Sequence, residues 1–448
     1  MTLPEKLGKA VRIPTISHSD PANNDTEQLL AFQGFLEESF PWVHRVCVRE
    51  IFSATAVLYT WKGSRAGLAP VLLLGHYDVV PPGDESAWSR PPFGGEIAEG
   101  FVWGRGTLDD KQCVVSLLEA AENLIEDGFV PDRTVLFAFG GDEENGGHSG
   151  AAVIAGILER RGIKAEFLLD EGSAIVEGMV PGVRAPAALI GIAEKGFADI
   201  ELLLQTEAGH SAMPPDRTAA GRIARAAARI EDSPFPSRLI PAVRLFFEAL
   251  APHASGFHRL LFSHPRLAAP VLIKAFLRSP ATAAMVRTTQ AVTMLEGSTK
   301  ENVLPSRARA VINVRMLPGD RLEPILSRFR RLVRDPDISV FASGRSSGPP
   351  EESPVSGTGW DALVSAVGEI FPEAAAVPYL VTAYTDSRHY KTVARALYRF
   401  IPMKLVPGDI ARLHGRDERI SLENLEACRL VYTRLIRNAA KPELTKFS

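Results

Sequence analysis

The sequence predicts an α/β protein: a doubly wound domain with a mostly parallel sheet, interrupted by a smaller α+β unit. Three observations carry this. Short, strongly apolar runs at Val71–Gly75, Val135–Phe139 and Phe167–Leu169, each bounded by Gly or charge, read as buried strands. Over residues 1 to about 190 such runs alternate with helix-like segments, the βα order of a parallel sheet covered on both faces. At 448 residues the chain also exceeds the ~250–300 that a single core accommodates, so two domains are expected.

Along the chain, Thr26 to Glu38 is helix-like, and Asp110 to Glu126 has apolar residues at helical spacing behind an acidic start that favours the helix dipole. Gly147 to Arg161 reads as a further helix. The pattern changes near residue 191. Phe197 to Leu204 partly alternates, as a half-buried strand does. A helix over Thr218–Glu231, strands at Val292–Leu295 and Ala308–Met316, and a helix over Arg321–Arg334 complete a small α+β sandwich. Within that stretch 235–286 is an extra helical piece. Its Phe246, Phe247, Leu260, Leu261, Phe262, Leu272, Ile273 and Phe276 are read as core, with an apolar wall for a greasy substrate as the alternative. Ser343 to Gly359, rich in Ser, Gly and Pro, reads as a linker. Helical pattern resumes over Trp360–Ile370 and Leu422–Asn438. If His414 belongs with the earlier candidate residues, the chain returns to its first domain, giving domains of 1–191 with 348–448 and an insertion of 192–347.

Composition narrows the function. A net charge of −3 argues against nucleic acid or an anionic membrane as the main partner. No run approaches the ~18 apolar residues of a membrane span, and the N-terminus lacks the apolar region of a signal peptide, so a cytoplasmic protein is expected. Cys47, Cys113 and Cys428 are widely spaced and read as packed thiols rather than a disulfide framework or thiolate metal site.

Polar residues stand repeatedly at strand exits, where open α/β sheets gather ligands. His76, Asp109, Glu144, Asp170 and His414 are candidate metal ligands, two His and three carboxylates that suit a pair of divalent ions. In His76-Tyr77-Asp78, residues two apart in extended chain share a side, so Asp78 can orient the imidazole. Asp109, at a helix start, is open to a capping role as well. The adjacent carboxylates Asp142-Glu143-Glu144 repel one another, and a cation would offset that; neighbouring Glu residues can also divide coordination from proton transfer. His210, in the insertion, faces substrate more readily than metal. His389, after Thr385-Asp-Ser-Arg388, is the least secure among the histidines set aside.

The motifs resemble, in order and over nearly the whole chain, those of the M20 family of metallopeptidases. They run from Val71-Leu-Leu-Leu-Gly-His-Tyr-Asp78 and Trp88 through Trp103-Gly-Arg-Gly-Thr-Leu-Asp-Asp-Lys111, Asp142-Glu-Glu144 and Leu169-Asp-Glu-Gly172. They continue with Gly209-His-Ser-Ala-Met-Pro-Pro215, Asn302-Val-Leu-Pro305, Thr385-Asp-Ser-Arg-His-Tyr390, His414 and Glu418-Arg-Ile-Ser-Leu-Glu-Asn424. The carboxypeptidase S and N-acyl-amino-acid hydrolase branch is the nearest match. The resemblance implies a two-zinc hydrolase with an inserted lid or dimerisation domain; manganese or cobalt are the alternative metals. In it Asp109 bridges the ions, His76 and Asp170 complete one site, and Glu144 and His414 the other. Asp78 orients His76, and Glu143 is the general base. His210 stabilises the oxyanion, supplied in a homodimer by the partner subunit. Asn302, Arg315 and Arg388 contact substrate. The substrate implied is a small peptide or N-acyl amino acid cleaved beside a free carboxylate; a dipeptidase, an aminoacylase or a non-catalytic binding protein on the same fold are the alternatives. Asp417 and Asn145 depart from the family pattern, where Asn and a hydrophobic residue are usual.

Overall fold

A computed structural model describes residues 1–18 and 20–441. Its central strand, Val71–His76, lies parallel to Val135–Gly140 on one side and to Phe167–Asp170 on the other. All six residues of each of the first two strands are buried, as expected where both sheet faces are covered. Strand alternation divides their side chains between two cores. Val71, Leu73, Val135 and Phe137 meet Val114 and Leu118 of helix Lys111–Glu126. Leu72, Leu74, Leu136 and Ala138 meet Ile154 and Leu158 of helix Ala151–Arg160.

The sheet has ten strands. Ala56–Trp61 and Val48–Ser53 extend it antiparallel on one side. On the other, Leu397–Arg399 pairs parallel with Phe167–Asp170, and Ala187–Glu194 pairs parallel with Ala375–Val381. The returning C-terminal segment thus supplies one interior strand, Leu397–Arg399, and a second, Ala375–Val381, paired on one side only, and helix Leu422–Ala440 packs on Lys111–Glu126 and Thr358–Ile370. Gly75 permits this closure at the strand end. A Cβ there would meet Val114 Cγ2 at 3.1 Å and Asp110 Oδ2 at 3.2 Å.

The inserted stretch forms a separate antiparallel sheet in the order Thr289–Glu296, Arg307–Met316, Gly196–Gln205, Ser339–Ser347. Gly196–Gln205 alternates buried and half-buried residues up to an exposed Gln205, and helices Ala219–Glu231 and Leu322–Val333 cover its inner face. Thr218 caps the first of these helices, its side chain accepting from Gly221 N. Residues 343–347, expected as linker, are strand, with Ser347 opposite Phe197 and Ser346 opposite Ala198. Ladder hydrogen bonds are made by the backbone, so a Ser/Gly composition does not prevent an edge strand.

Helices Pro241–Leu250, Gly256–Ser263, Ala269–Phe276 and Pro280–Val286 fall inside the inserted stretch in sequence but bury their apolar faces elsewhere. Phe246, Phe247, Phe262 and Leu272 belong to the first core, and the first of these helices packs on strand Ala375–Val381. Leu260, read from sequence as core, is 60% exposed because its neighbours Leu261 and Phe262 take the inward positions of that turn.

One buried ion pair joins the chain's distant halves beside the strand ends. Glu418 accepts from Arg105 Nη1 at 2.5 Å and from the backbone N–H groups of Gly106 at 3.0 Å and Leu108 at 2.8 Å. Both side chains are essentially inaccessible. Removing one partner of such a pair leaves a buried charge uncompensated, which costs about 3–5 kcal/mol. Glu418→Ala should therefore lower unfolding stability by about that amount in a denaturant titration. An unchanged midpoint would show that this pair does not anchor the loop.

Candidate active site

Three adjacent parallel strands end at one edge of the sheet and deliver polar residues there. His76 closes Val71–His76, Asp142-Glu143-Glu144 follows Val135–Gly140, and Asp170 closes Phe167–Asp170. Asp109 arrives on the loop held by Glu418. His414 arrives from the loop before the last helix, at a left-handed φ of 56°.

Asp109 sits at the centre. Its Oδ1 lies 3.0 Å from His76 Nε2, and its Oδ2 lies 3.0 Å from His414 Nε2. His414 Nε2 is also 3.3 Å from Glu144 Oε1. Donor atoms of His76, Asp109 and Glu144 all fall within 4.8 Å of one another, so this group could hold a metal ion. Asp109 does not cap the following helix. Asp110 occupies that position without a side-chain cap, and its Oδ2 instead accepts from His76 N at 3.1 Å.

Asp78, fully buried, organises the site. It accepts from Ser17 Oγ at 2.6 Å, Glu143 N at 3.0 Å and Glu144 N at 3.1 Å. His76 Nδ1 lies 3.0 Å from the Asp78 carbonyl and 3.4 Å from its carboxylate. With Nδ1 donating there, Nε2 is the ring nitrogen turned toward Asp109, and its lone pair would be the one offered to a bound cation.

Asp170 and Glu171 point to different neighbours. Asp170 Oδ1 accepts from Glu171 N at 3.0 Å, and Oδ2 accepts from Ser387 N at 2.7 Å. Glu171, one residue beyond the strand, lines a cavity of about 390 Å³ together with Asp109, Glu143, Glu144 and His414. Glu171 belongs to the same Leu-Asp-Glu-Gly segment as Asp170.

The crowding has an electrostatic signature. Burial raises the Glu143 carboxyl well above its usual range, with Asp386 and Glu144 adding repulsion and His76 opposing. Burial does the same to Glu171, reinforced by Asp109 and Glu143. Burial also opposes ionisation of Asp109, but hydrogen bonds from His414 and His76 outweigh it and hold this carboxyl low. Hydrogen bonds to Asp109 and Glu144 push His414 up to about 10. Four carboxyls and two imidazoles are thus crowded at one place, and a divalent cation bound among them would offset the repulsion between the carboxylates. Imidazole nitrogen and carboxylate oxygen suit zinc, manganese or cobalt.

A second cavity, of about 420 Å³, adjoins the first across Tyr384. Arg315 and Arg388 place their guanidinium carbons 4.9 and 4.2 Å from the Tyr384 ring centre. Arg388 is engaged, donating to Thr385 O at 2.9 Å and Gly146 O at 2.6 Å. Arg315 Nη1 is buried without a partner among the described residues. His148 and His389 also line this recess, and burial, with Arg388 beside it, lowers His389 to about 4. His210 and Asn302 come together away from both cavities. His210 is exposed on a two-stranded ribbon opposite Val303, and Asn302 O accepts from Ser211 N at 3.1 Å. The two departures from the motif pattern have partners of their own: Asp417 accepts from Ser89 N at 2.6 Å, and Asn145 Nδ2 donates to His18 O at 2.8 Å.

The family description "Peptidase family M20/M25/M40" matches residues 72–438. A probable carboxypeptidase S-like protein of Dictyostelium discoideum is 38% identical, covering 98% of this chain and 85% of that one. An N-fatty-acyl-amino acid synthase/hydrolase of Danio rerio is also 38% identical, over 96% of this chain and 84% of its own. The fold is similar to the crystal structure of an M20 family metallo-carboxypeptidase from Sulfolobus solfataricus, at a TM-score of 0.71 and 18% identity, covering 98% and 99% of the two chains.

Chelator-treated protein should gain stability when a divalent metal is restored, by about 2.7 kcal/mol at a hundred times Kd. Asp78→Asn should weaken metal affinity by about 10–100-fold, as loss of an orienting carboxylate does. Metal titrations followed by thermal unfolding check both, and equal affinity in Asp78→Asn would remove its orienting role.

Proposed function

Since the chain belongs to peptidase family M20/M25/M40, whose members are hydrolytic enzymes, we propose that it is a two-zinc amidohydrolase cleaving a peptide or N-acyl-amino-acid amide bond beside a free carboxylate. The observation that carries this reading is the divided Asp109 carboxylate, one oxygen toward His76 and the other toward His414. His76 and Glu171 would complete one metal set; Glu144 and His414 would complete the other. Glu171 is proposed there beside the Asp170 first expected, because it lines the cavity with Asp109 and Glu144; each Asp170 oxygen accepts one backbone N–H and keeps a lone pair, so Asp170 stays the alternative ligand. Bound metals would polarise the scissile carbonyl and make water acidic near neutral pH.

The protein's own groups do the rest. Glu143 lines the cavity beside Asp109, and among the described residues no hydrogen bond engages its carboxylate. It is free to take a proton from the attacking water and deliver it to the departing nitrogen. Asp78 fixes Glu143 through the backbone, so this base is aimed by a buried group rather than by solvent. The unpaired Nη1 of Arg315 suits the substrate carboxylate as one arm of a bidentate fork, while Arg388 holds the recess wall. His210 would reach the oxyanion in a neighbouring subunit of a homodimer; its exposure on the ribbon supports that reading. A cytoplasmic location is part of the proposal, supported by three buried free thiols. No helix among the described residues is long and apolar enough to cross a membrane.

Glu143→Gln should lose about 10²–10⁴ in kcat while keeping its metal; wild-type turnover in this variant would sink the assignment. Elemental analysis should find one ion fewer per chain in Glu171→Gln than in Asp170→Asn. The opposite order would return the ligand role to Asp170. His210→Ala should lose turnover with its metal intact, and mixing it with Glu143→Gln should restore part of the activity through hybrid dimers. No restoration on mixing would mean that His210 does not act across subunits.

A further inference from the structure

The cavity beside the acidic cluster has a further cavity against it. Val176, Leu189, Tyr379 and Ile410 form its far wall and are at the same time the near wall of another cavity, of about 430 Å³. That chamber lies under the helices of 241–286. Phe246, Phe247, Leu261 and Leu272 line it, and polar side chains contribute little. Thr282, one of the few, already donates its hydroxyl to Phe276 O at 2.6 Å. Among the described residues, no Lys, Arg, Asp or Glu side chain lines it. At its rim Phe257 is 66% exposed and Val271 50% exposed, so the chamber reaches the surface.

Three compartments therefore adjoin one another: a recess holding Arg315, whose Nη1 has no partner among the described residues, the acidic cluster, and the apolar chamber. We infer that the helical segment 241–286 forms an acyl-chain chamber, entered between Val176, Leu189, Tyr379 and Ile410, that selects a long unbranched hydrocarbon on the acyl side of the scissile amide. This rests on the amidohydrolase reading and adds to it the chemistry of the acyl group and the residues that measure its length. A peptide in the same position would leave backbone N–H and C=O groups without partners, which an apolar lining penalises. A hydrocarbon has no such groups, and every methylene it buries adds to binding.

Ala275, exposed on helix Ala269–Phe276, lines the chamber but not the cavity beside the acidic cluster, so a larger side chain there would take up chamber volume away from that cluster. The test measures kcat/KM for N-acyl derivatives of one amino acid, from acetyl to hexadecanoyl, in wild type and Ala275→Trp. Wild type should gain about fourfold per methylene over the lengths that the chamber holds. Ala275→Trp should match wild type on the acetyl substrate and lose about tenfold or more on the long ones, the worth of roughly two buried methylenes. A wild-type series flat in chain length, or an equal loss at every length in the variant, overturns the chamber. Calorimetric binding of dodecanoate and butanoate to Glu143→Gln separates the two readings. Dodecanoate bound no more tightly than butanoate overturns the chamber. Tight dodecanoate binding that Ala275→Trp abolishes supports the chamber, and if wild type at the same time hydrolyses none of the amides, it is the amidohydrolase reading that fails.

Discussion

The carboxylate of Asp78 ties together parts of the chain that are far apart in sequence. It receives a hydroxyl from Ser17 near the N-terminus and two backbone N–H groups from the Glu143-Glu144 turn, while standing beside the His76 ring. Being wholly buried, it has no water to turn to, so those donors must stay in place for the charge to remain satisfied. The positions of His76, Glu143 and Glu144 follow from that one requirement. Glu418 has the corresponding part on the other side, fixing the loop that carries Asp109 through three backbone N–H groups and Arg105. Two buried acids thus hold the frame, and the acids left without such partners face the cavity.

This division explains how one sheet edge can concentrate carboxylates. Asp78, Asp170 and Glu418 accept two or more backbone N–H groups each. Asp109, Glu143, Glu144 and Glu171 line open space, and burial or mutual repulsion acts on them. A bound cation would answer that repulsion and would make the same acids useful for water activation. The surrounding compartments are graded in polarity, with guanidinium groups on one side and a hydrocarbon lining on the other. Such an arrangement would suit an amphiphile lying across the acidic cluster.

The sheet strands were legible because buried parallel strands need continuous apolar runs, and Val71–Gly75 and Val135–Phe139 have them. The short strand Leu397–Arg399 carries no such run and is defined by its pairing with Phe167–Asp170. Residues 343–347 read as linker because Ser and Gly composition says nothing about backbone pairing. Helical character over 235–286 was legible as well, but not the core that it joins, since amphipathic periodicity marks an apolar face without naming its partner.

By itself, the sequence determined that polar residues stand at the ends of buried strands, that they are imidazoles and carboxylates, and that an α+β unit interrupts the domain. These follow from periodicity and residue chemistry, which are local. The tertiary structure decided which of these residues meet. It turned Asp109 from a possible cap toward two imidazoles, set Glu171 rather than Asp170 on the cavity wall, and packed 241–286 against the strands beside the site. Those outcomes depend on where a strand stops and on which backbone groups compete for each oxygen, and neither is fixed until distant segments pack together.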